Sequence, residues 1–448
     1  MANKQLSLFS DLELPATQAE VNSLANRGTF KDSRTAPIHS WFKYPAGYSN
    51  RFVAEVMHRY EIRPGHWMYD PFSGTGTTLI CAKQAGVNGY GVEAHSFVHW
   101  VASVKLFWEF DYTSLAEKID TLLTQARDLV KSRAGFTPLV GVFPELIYKC
   151  YHPQTLVELY LLREFILREM REDPIRELFK LALTDTLRSA AAAGTGWPYI
   201  APNKNTGDKP AKNAVSIFSK TVRKMCQDLL EYEKPQERAV IHNVLGDSRQ
   251  RQQLEDHQVD LALTSPPYLN NYDYADRTRL ETYFWEITKS WSDITEQFRT
   301  KLMVAATTQV IRKNYTVETA LSSDIKDVSP KVYEYVQTSV IELSKLRLQK
   351  GGKKDYDLMV ALYVNDILNV LKETYRVLRP GGHFCLVIGD SAPYGVHIPT
   401  DWVVGELGLG LGFSQFEYEE FRTRGGKWKQ NPQRHTVALR EGAVLLTK

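Results

Sequence analysis

The stretch Val259-Asp260-Leu261-Ala262-Leu263, followed by Thr264-Ser265-Pro266-Pro267-Tyr268, predicts the centre of the fold. The first five residues form a short, mostly apolar run, which is typical of a buried parallel strand. Two consecutive prolines fix φ and remove two backbone donors, so the strand must end there. The corner that remains has a hydroxyl, outward carbonyls and an aromatic face. It can hold an amino group beside a flat ring, although a plain Pro-Pro turn over a tyrosine has the same sequence.

A glycine-rich turn lies earlier in the chain. A predicted strand, His66-Trp67-Met68-Tyr69-Asp70, leads into Pro71-Phe72-Ser73-Gly74-Thr75-Gly76-Thr77-Thr78 and then into a helix. This order presents backbone N–H groups to a nucleotide-like ligand. The next strand ends in Glu93, 23 residues after Asp70, where a carboxylate can accept both hydroxyls of a ribose. The turn lacks the Gly-Lys-Ser/Thr of a P-loop and the third glycine of a dinucleotide fingerprint.

These two stretches resemble the motifs of a known enzyme family. Asp70-Pro-Phe-Ser-Gly-Thr-Gly-Thr-Thr78 and Thr264-Ser-Pro-Pro-Tyr268 are similar to the cofactor and catalytic motifs of the S-adenosylmethionine-dependent DNA amino-methyltransferases. That family methylates adenine N6 or cytosine N4, and Ser-Pro-Pro-Tyr is closer to the cytosine-N4 members. Shorter matches follow at 42–45, at Glu93 and at 246–248, so the resemblance covers roughly residues 39–100, 240–285 and 360–448.

The resemblance implies which residues bind S-adenosylmethionine and which act on the substrate. The implied catalytic residues are Ser265, Pro266, Pro267 and Tyr268. The implied cofactor residues are Phe42, Tyr44, Pro45, Asp70, Pro71, Phe72, Ser73, Gly74, Gly76, Thr77, Thr78, Glu93, Asp247 and Ser248. Of these, Asp247 follows a third predicted strand and either accepts from the adenine amino group or caps a helix.

In the implied reaction, positive charge builds on the amino nitrogen of a base as it attacks the methyl group. The Ser265 hydroxyl and the Pro266 carbonyl would accept its N–H hydrogens. Tyr268 would stack on the base, which must be flipped out of a duplex. This chemistry needs no metal.

The alternation of predicted strands and helices indicates an α/β fold. We expect a Rossmann-like class I methyltransferase with a doubly wound, mostly parallel seven-stranded sheet, an antiparallel last strand and helical insertions. The expected divisions are an N-terminal arm at 1–38, a catalytic core from 39–100, 240–289 and 356–448, a mainly helical insertion at 101–239 that could recognise the target, and a second helical insertion at 290–355. The ligand should lie at the carboxyl ends of the strands, where Asp70, Glu93, Asp247 and Ser265 are all placed.

The composition of the chain indicates which kinds of site and surface it can carry. With 448 residues, 43% of them hydrophobic, the chain can form a large core with additions. A net charge of +3 restricts any nucleic-acid surface to local patches. Its four cysteines form no CxxC pair, which favours neither zinc nor disulfides and fits a reducing cytoplasm. We expect no membrane span, because the sequence has no apolar run long enough to cross a bilayer.

Three basic runs, at 201–224, 345–354 and 422–434, are the candidate DNA-binding surfaces. Each is equally compatible with a solvated face. The candidate DNA-binding residues are Lys204, Lys209, Lys212, Arg424, Lys427 and Lys429.

The sequence therefore favours a site-specific duplex-DNA methyltransferase of cytosine N4, with a cognate restriction endonuclease as an expected partner. Three alternatives stay open: adenine N6 as the target, an RNA base as the substrate, and a non-catalytic subunit that recognises DNA.

One further pentapeptide, Gln5-Leu6-Ser7-Leu8-Phe9, lies in the polar N-terminal arm. It resembles the short peptides by which bacterial replication and repair proteins bind the sliding clamp. The alternative is that its apolar residues attach the arm to its own domain.

If the resemblance reflects binding, a synthetic peptide of residues 1–14 should bind the bacterial sliding clamp. Leu8→Ala combined with Phe9→Ala removes two of the three apolar side chains of the pentapeptide, so it should abolish binding and leave methylation of short duplexes intact. A full-length protein that shows no binding to the clamp in calorimetry would contradict the assignment.

Overall fold

The computed structural model describes residues 24–44, 47–136, 139–194, 200–202, 208–232, 239–424 and 438–448. Several predicted functional residues lie outside these ranges. They are Gln5–Phe9, Pro45, Lys204, Lys427 and Lys429.

Seven strands form one mixed sheet in the order β3-β2-β1-β4-β5-β7-β6. The strands are β1 (Trp67–Asp70), β2 (Asn88–Glu93), β3 (Ile241–Leu245), β4 (Val259–Thr264), β5 (Leu378–Gly389), β6 (Gln415–Arg424) and β7 (Leu439–Thr447). Neighbouring strands from β3 to β5 are parallel, and β7 is antiparallel to both β5 and β6. This sheet and its helices are compatible with the α/β methyltransferase fold expected from the sequence.

Helices cover both faces of the sheet and extend beyond it. They are α1 (Asn50–Arg59), α2 (Thr77–Gln84), α3 (Ser96–Leu106), α4 (Leu115–Arg133), α5 (Glu145–Tyr148), α6 (Pro153–Arg168), α7 (Arg176–Ala190), α8 (Ala214–Glu231), α9 (Arg279–Phe284), α10 (Trp291–Ile294), α11 (Ser323–Val328), α12 (Pro330–Gln349), α13 (Tyr356–Val377) and α14 (Thr400–Leu411). No helix in the described ranges is long and apolar enough to span a membrane.

The apolar run forms β4, the central strand of this sheet. Both of its faces are buried. Leu261 and Leu263 pack in a cluster with residues of α1 and α2, whereas Val259 and Ala262 pack with residues of α12 and α13. The strand prediction is confirmed with one extra residue, Thr264, before the prolines end the ladder.

Between β2 and β3 the described elements are all helices, as the sequence predicts for 101–239. A buried charged triad joins this segment to α9: Arg188 on α7 donates to Glu281 at 2.6 Å, and Glu281 lies 3.5 Å from the Arg277 guanidinium. Glu281 is completely buried. Breaking such a buried group of charges by removing one member is costly, so α7 and α9 have a fixed relative position.

The middle of the second predicted helical insertion, 290–355, is not helical. Between the π-helical turn Thr295–Arg299 and α11 the described chain has only two short 3₁₀ turns, Thr307–Gln309 and Arg312–Asn314. This irregular segment contributes residues to the cleft described below. The assignment of both insertions as separate domains stays a prediction.

Candidate active site

A cleft opens at the carboxyl ends of β1 to β4. Residues 71–75 follow β1, residues 92–95 end and follow β2, residues 246–248 follow β3, and Ser265 and Pro267 follow β4. The strand order changes direction between β1 and β4, which is where ligands bind in open α/β sheets. The cleft therefore lies at the edge of the sheet where the sequence places it.

The glycine turn after β1 depends on left-handed backbone conformations. Gly74 has φ +51° and Gly76, which precedes α2, has φ +86°. Gly74 lines the cleft, whereas Gly76 lies beneath it, where a Cβ would be 3.3 Å from that of Ala102. A side chain at Gly74 would be strained and would stand between the turn and a ligand.

Asp70 does not line the cleft, in contrast to its predicted role as a cofactor contact. It is 1% exposed, and its Oδ1 accepts from the Phe72 N–H at 3.0 Å and the Thr264 hydroxyl at 2.5 Å. Its Oδ2 accepts from Thr78 at 2.5 Å and from the Tyr48 hydroxyl at 3.4 Å. Burial raises the pKa of Asp70 to about 6, although the hydrogen bonds from Thr264 and Thr78 oppose that rise. Asp70 therefore joins the glycine turn to the end of β4.

Glu93 lies in the cleft wall at the end of β2. Its Oε2 accepts from the Gly74 N–H at 3.0 Å and its Oε1 from the His95 N–H at 2.7 Å. Burial raises the pKa of Glu93 to about 7. Because a carboxylate oxygen has two lone pairs, each oxygen can accept a further hydrogen bond.

Buried polar atoms without partners point to a ligand in this cleft. The hydroxyls of Ser73 and Thr75 and the Nδ1 of His95 are buried, and no hydrogen-bond partner is found for them in the described part of the chain. All three residues line the cleft. Buried polar atoms are rarely left unpaired, so a bound molecule with polar groups would satisfy them.

His95 is a cleft residue that the sequence analysis missed. Its Nε2 lies 2.9 Å from the Thr278 hydroxyl, and its ring stacks on Phe298 at 4.0 Å between centroids. Burial lowers the pKa of His95 to about 3, so the ring is neutral. The only signal in the sequence is its place two residues after Glu93.

The Ser-Pro-Pro-Tyr corner presents Ser265 and Pro267 to the cleft, whereas Pro266 is buried. Tyr268 is 8% exposed and does not line the cleft. The ring that does is Tyr274, whose hydroxyl accepts from the Tyr268 N–H at 3.3 Å. The corner thus turns Tyr268 towards the protein, in contrast to the expectation that its ring faces the cleft, and stacking of either ring on a base stays a prediction.

The segment before α1 contributes two tyrosines. Tyr44 and Tyr48 line the cleft. Phe42, predicted with them, is 1% exposed and packs in the core, with its ring stacked 6.4 Å from that of Tyr44. Phe42 therefore packs behind Tyr44 and does not line the cleft.

After β3, Asp247 and Ser248 line the cleft as predicted. The Asp247 carboxylate is already paired, because both of its oxygens accept from Arg249 at 2.8 Å. Arg249 also donates to Asp366 at 3.1 Å and to the Lys301 carbonyl at 3.2 Å. This network fixes the irregular segment beside the end of β3.

That segment forms the fourth wall of the cleft with Lys301, Leu302, Met303 and Gln309. The Gln309 side chain holds it together by accepting from the Ala305 N–H at 2.8 Å and donating to the Met303 carbonyl at 2.6 Å. No sequence pattern identifies these residues, since they reach the cleft only through tertiary contacts.

The described candidates for DNA binding make contacts within the protein. Lys209 donates to the Ala192 carbonyl at 2.6 Å, and Lys212 donates to the carbonyls of Ser189 at 2.9 Å and Ala191 at 2.7 Å. Both ammonium groups thus satisfy carbonyls at the end of α7. Contact with phosphate stays a prediction for these two residues.

The four cysteines are buried and unpaired. No group of three or more His, Cys, Asp or Glu side chains among the described residues could hold a metal ion.

No protein-family model matches the chain. It is similar over most of its length to the Type II methyltransferase M.BsoBI of Geobacillus stearothermophilus, with 21% identity covering 94% of this chain and 87% of that protein. Type II methyltransferase M.AvaI of Anabaena variabilis is 22% identical over 86% of this chain and 81% of its own length. Type II methyltransferase M.MvaI of Kocuria varians is 22% identical over 81% of this chain and 83% of its own length. These relatives support the resemblance to methyltransferases that the two motifs indicate.

Asp70→Asn should change how stability depends on pH. With its pKa raised from 3.8 to about 6, Asp70 binds a proton more tightly in the folded than in the unfolded protein. Its contribution to stability is therefore fully present below the unfolded pKa and is lost as the pH rises through about 6. As the pH falls from about 8 to about 4.5, the free energy of unfolding of the wild type, measured in urea, should rise by about 2 kcal/mol relative to that of the Asn variant.

Asp128→Asn, on the exposed face of α4, is the control for the loss of a carboxylate. A difference between wild type and Asp70→Asn that is equal at both pH values would contradict the burial of an ionisable Asp70.

Proposed function

We propose that the protein is a site-specific DNA methyltransferase that transfers a methyl group from S-adenosylmethionine to the N4 amine of cytosine in duplex DNA. The observation that carries this proposal is that one cleft joins the glycine turn after β1 to the Ser265–Pro267 corner after β4. A nucleoside-like methyl donor and an amino acceptor would meet there. The similarity to Type II methyltransferases supports the activity and a place in a restriction-modification system, with a cognate endonuclease as partner.

The fold we propose is the Rossmann-like class I methyltransferase fold. It is supported by the switch in strand order between β1 and β4 and by the antiparallel β7 inserted between β5 and β6. In this arrangement the cofactor would occupy the β1–β3 side of the cleft and the base the β4 side.

The residues of the cleft suit S-adenosylmethionine. Glu93 would accept from the ribose hydroxyls, and the open backbone at Gly74 would lie against the ligand. The unpaired hydroxyls of Ser73 and Thr75 could bond the polar groups of its amino-acid part. When bound, this cofactor supplies a methyl group on a positively charged sulfur, and an ionised Glu93 would favour that charge nearby.

On the substrate side, the amino nitrogen of a base is a poor nucleophile because its lone pair is delocalised into the ring. The Ser265 hydroxyl would accept one of its hydrogens, and this bond strengthens as the nitrogen becomes positive. The Pro266 carbonyl, the second acceptor expected from the sequence, belongs to a buried residue that does not line the cleft. Tyr274, which lines the cleft with Ser265, would stack on the flipped base. Most of the remaining acceleration would come from holding nitrogen, methyl and sulfur in line.

The choice of cytosine rests chiefly on the family resemblance of the corner, and the chemistry of its serine is compatible with that choice. A neutral hydroxyl can accept one N4 hydrogen and donate its own to N3, which an ionised aspartate cannot do. Adenine N1 could accept the same hydrogen, so adenine N6 is the alternative target. The resemblance of Ser265-Pro-Pro-Tyr268 to the cytosine-N4 enzymes favours cytosine.

Glu93→Gln should weaken the binding of S-adenosylmethionine by about 1–3 kcal/mol near pH 8, because a charged acceptor is lost. Since burial raises the pKa of Glu93 to about 7, the ionised fraction of the wild type grows as the pH rises from about 6 to about 8. Wild-type affinity should therefore rise over this range, while the Gln variant should lose that rise. Calorimetry at both pH values measures this, with exposed Glu117→Gln as control.

A pH dependence that persists unchanged in Glu93→Gln would contradict the ribose contact. Unchanged affinity in both Glu93→Gln and Gly74→Val would contradict the cofactor site itself.

Ser265→Ala should lower kcat by about 10²–10³-fold and leave the affinity for S-adenosylmethionine within about twofold, because the hydroxyl acts mainly in the transition state. Mass spectrometry of nucleosides from DNA methylated by the wild type should give N4-methylcytosine as the main product. A dominant N6-methyladenine peak would replace cytosine by the alternative target.

A further inference from the structure

Arg424, at the end of β6, is directed into the protein and towards the catalytic corner. Its guanidinium carbon lies 5.3 Å from the centroid of the Tyr268 ring. Its Nη2 donates to the Asp390 carbonyl at 2.6 Å, and its Nε lies 3.4 Å from a Glu441 carboxylate oxygen. The side chain is 23% exposed, so most of it is withdrawn from solvent.

The backbone leaves room for this guanidinium. A Cβ at Gly389, the last residue of β5, would stand 2.5 Å from Nη2 and 2.8 Å from Cζ of Arg424. Glu441 on the neighbouring β7 is 1% exposed and is shared with Arg422, whose Nη2 lies 3.0 Å away. The ends of β5 and β7 thus form a fixed seat for Arg424.

Tyr268 connects this seat to the proposed amino acceptor. Burial and the Glu441 carboxylate raise the pKa of Tyr268, and the Arg424 guanidinium and a hydrogen bond with Ser265 oppose that rise. One side of the ring therefore faces a cation. Tyr268 follows Ser265 by three residues, and the two prolines between them make that connection stiff. A planar guanidinium over an aromatic face restrains the position of that ring.

We propose that Arg424 is a positioning residue that orients Tyr268 and, through the stiff Pro266-Pro267 corner, holds Ser265 in place. This inference rests on the proposed methyl transfer at Ser265. It assigns Arg424 a role different from phosphate binding, which the basic run at 422–434 predicts. A hydroxyl that must meet a developing charge needs such support, since a small displacement of a catalytic group has a large effect on rate.

The test compares Arg424→Gln and Arg424→Lys with Arg422→Gln, a matched control that loses a partner of the same Glu441. Steady-state kinetics on duplex DNA at several salt concentrations, with calorimetry for S-adenosylmethionine, are the measurements. Arg424→Gln should lower kcat by about 10- to 100-fold, while the KM for DNA, its salt dependence and cofactor affinity stay within about twofold. Arg424→Lys should recover little, because lysine lacks the planar group. Because Arg422 lies in the basic run at 422–434, Arg422→Gln can raise the KM for DNA, but kcat measured at saturating DNA should stay within about threefold.

Two results would overturn the proposal. One is an Arg424→Gln variant with normal kcat and a raised KM for DNA, in which the slope of log affinity for DNA against log salt concentration is smaller by about 0.9. Such a change is expected for the loss of one phosphate contact. The other is an equal loss of kcat in Arg422→Gln, which would assign the effect to Glu441.

A wild type that binds no S-adenosylmethionine and transfers no methyl group would refute the proposed function. The contact between Arg424 and Tyr268 can still be tested in that case, by a measurement that does not depend on activity. A double-mutant cycle in urea unfolding combines Tyr268→Leu with Arg424→Gln. Coupling of about threefold or more in the unfolding constant supports the contact. Additive effects overturn it.

Discussion

The cleft depends on one buried carboxylate. Asp70 accepts hydrogen bonds from the turn that follows β1, from α2 and from the last residue of β4. A carboxylate in such an environment is costly unless its oxygens are paired, so these segments are held at hydrogen-bond distance by the group they surround. Thr264 is therefore more than the end of a strand, because its hydroxyl sets the distance between the glycine turn and the Ser265 corner. Methyl donor and acceptor would be brought together by that distance.

Two further networks extend this arrangement outward. Arg249 joins the end of β3 to Asp366 on α13 and to the chain at Lys301, which places the fourth wall of the cleft. Arg188 and Glu281 fix the helices between β2 and β3 against α9, the helix that follows the corner. The elements remote in sequence are thus attached at the strand ends, where a change in their position would change the shape of the cleft.

The sequence predicts the parts of the site that obey a local rule. An apolar run followed by two prolines, and a strand followed by a glycine turn, place Ser265, Gly74 and Glu93 at one edge of the sheet because parallel strands end at the same edge. The orientation of single side chains does not follow from such rules. Tyr268 and Asp70 are directed inward by tertiary contacts, and Met303 and Gln309 enter the cleft from a segment without periodic signal. Arg424 belongs to a basic run, yet its partner is an aromatic ring across the sheet.

We propose that this cleft methylates a base at a defined DNA sequence. The decisive experiment expresses the wild type and Ser265→Ala in a host that lacks other DNA methylation and then applies sequencing that reports modified bases. We expect N4-methylcytosine at one recurring short sequence with the wild type and a strong reduction of this modification with Ser265→Ala. Unmodified DNA from cells in which the folded wild type is abundant and binds S-adenosylmethionine would contradict it.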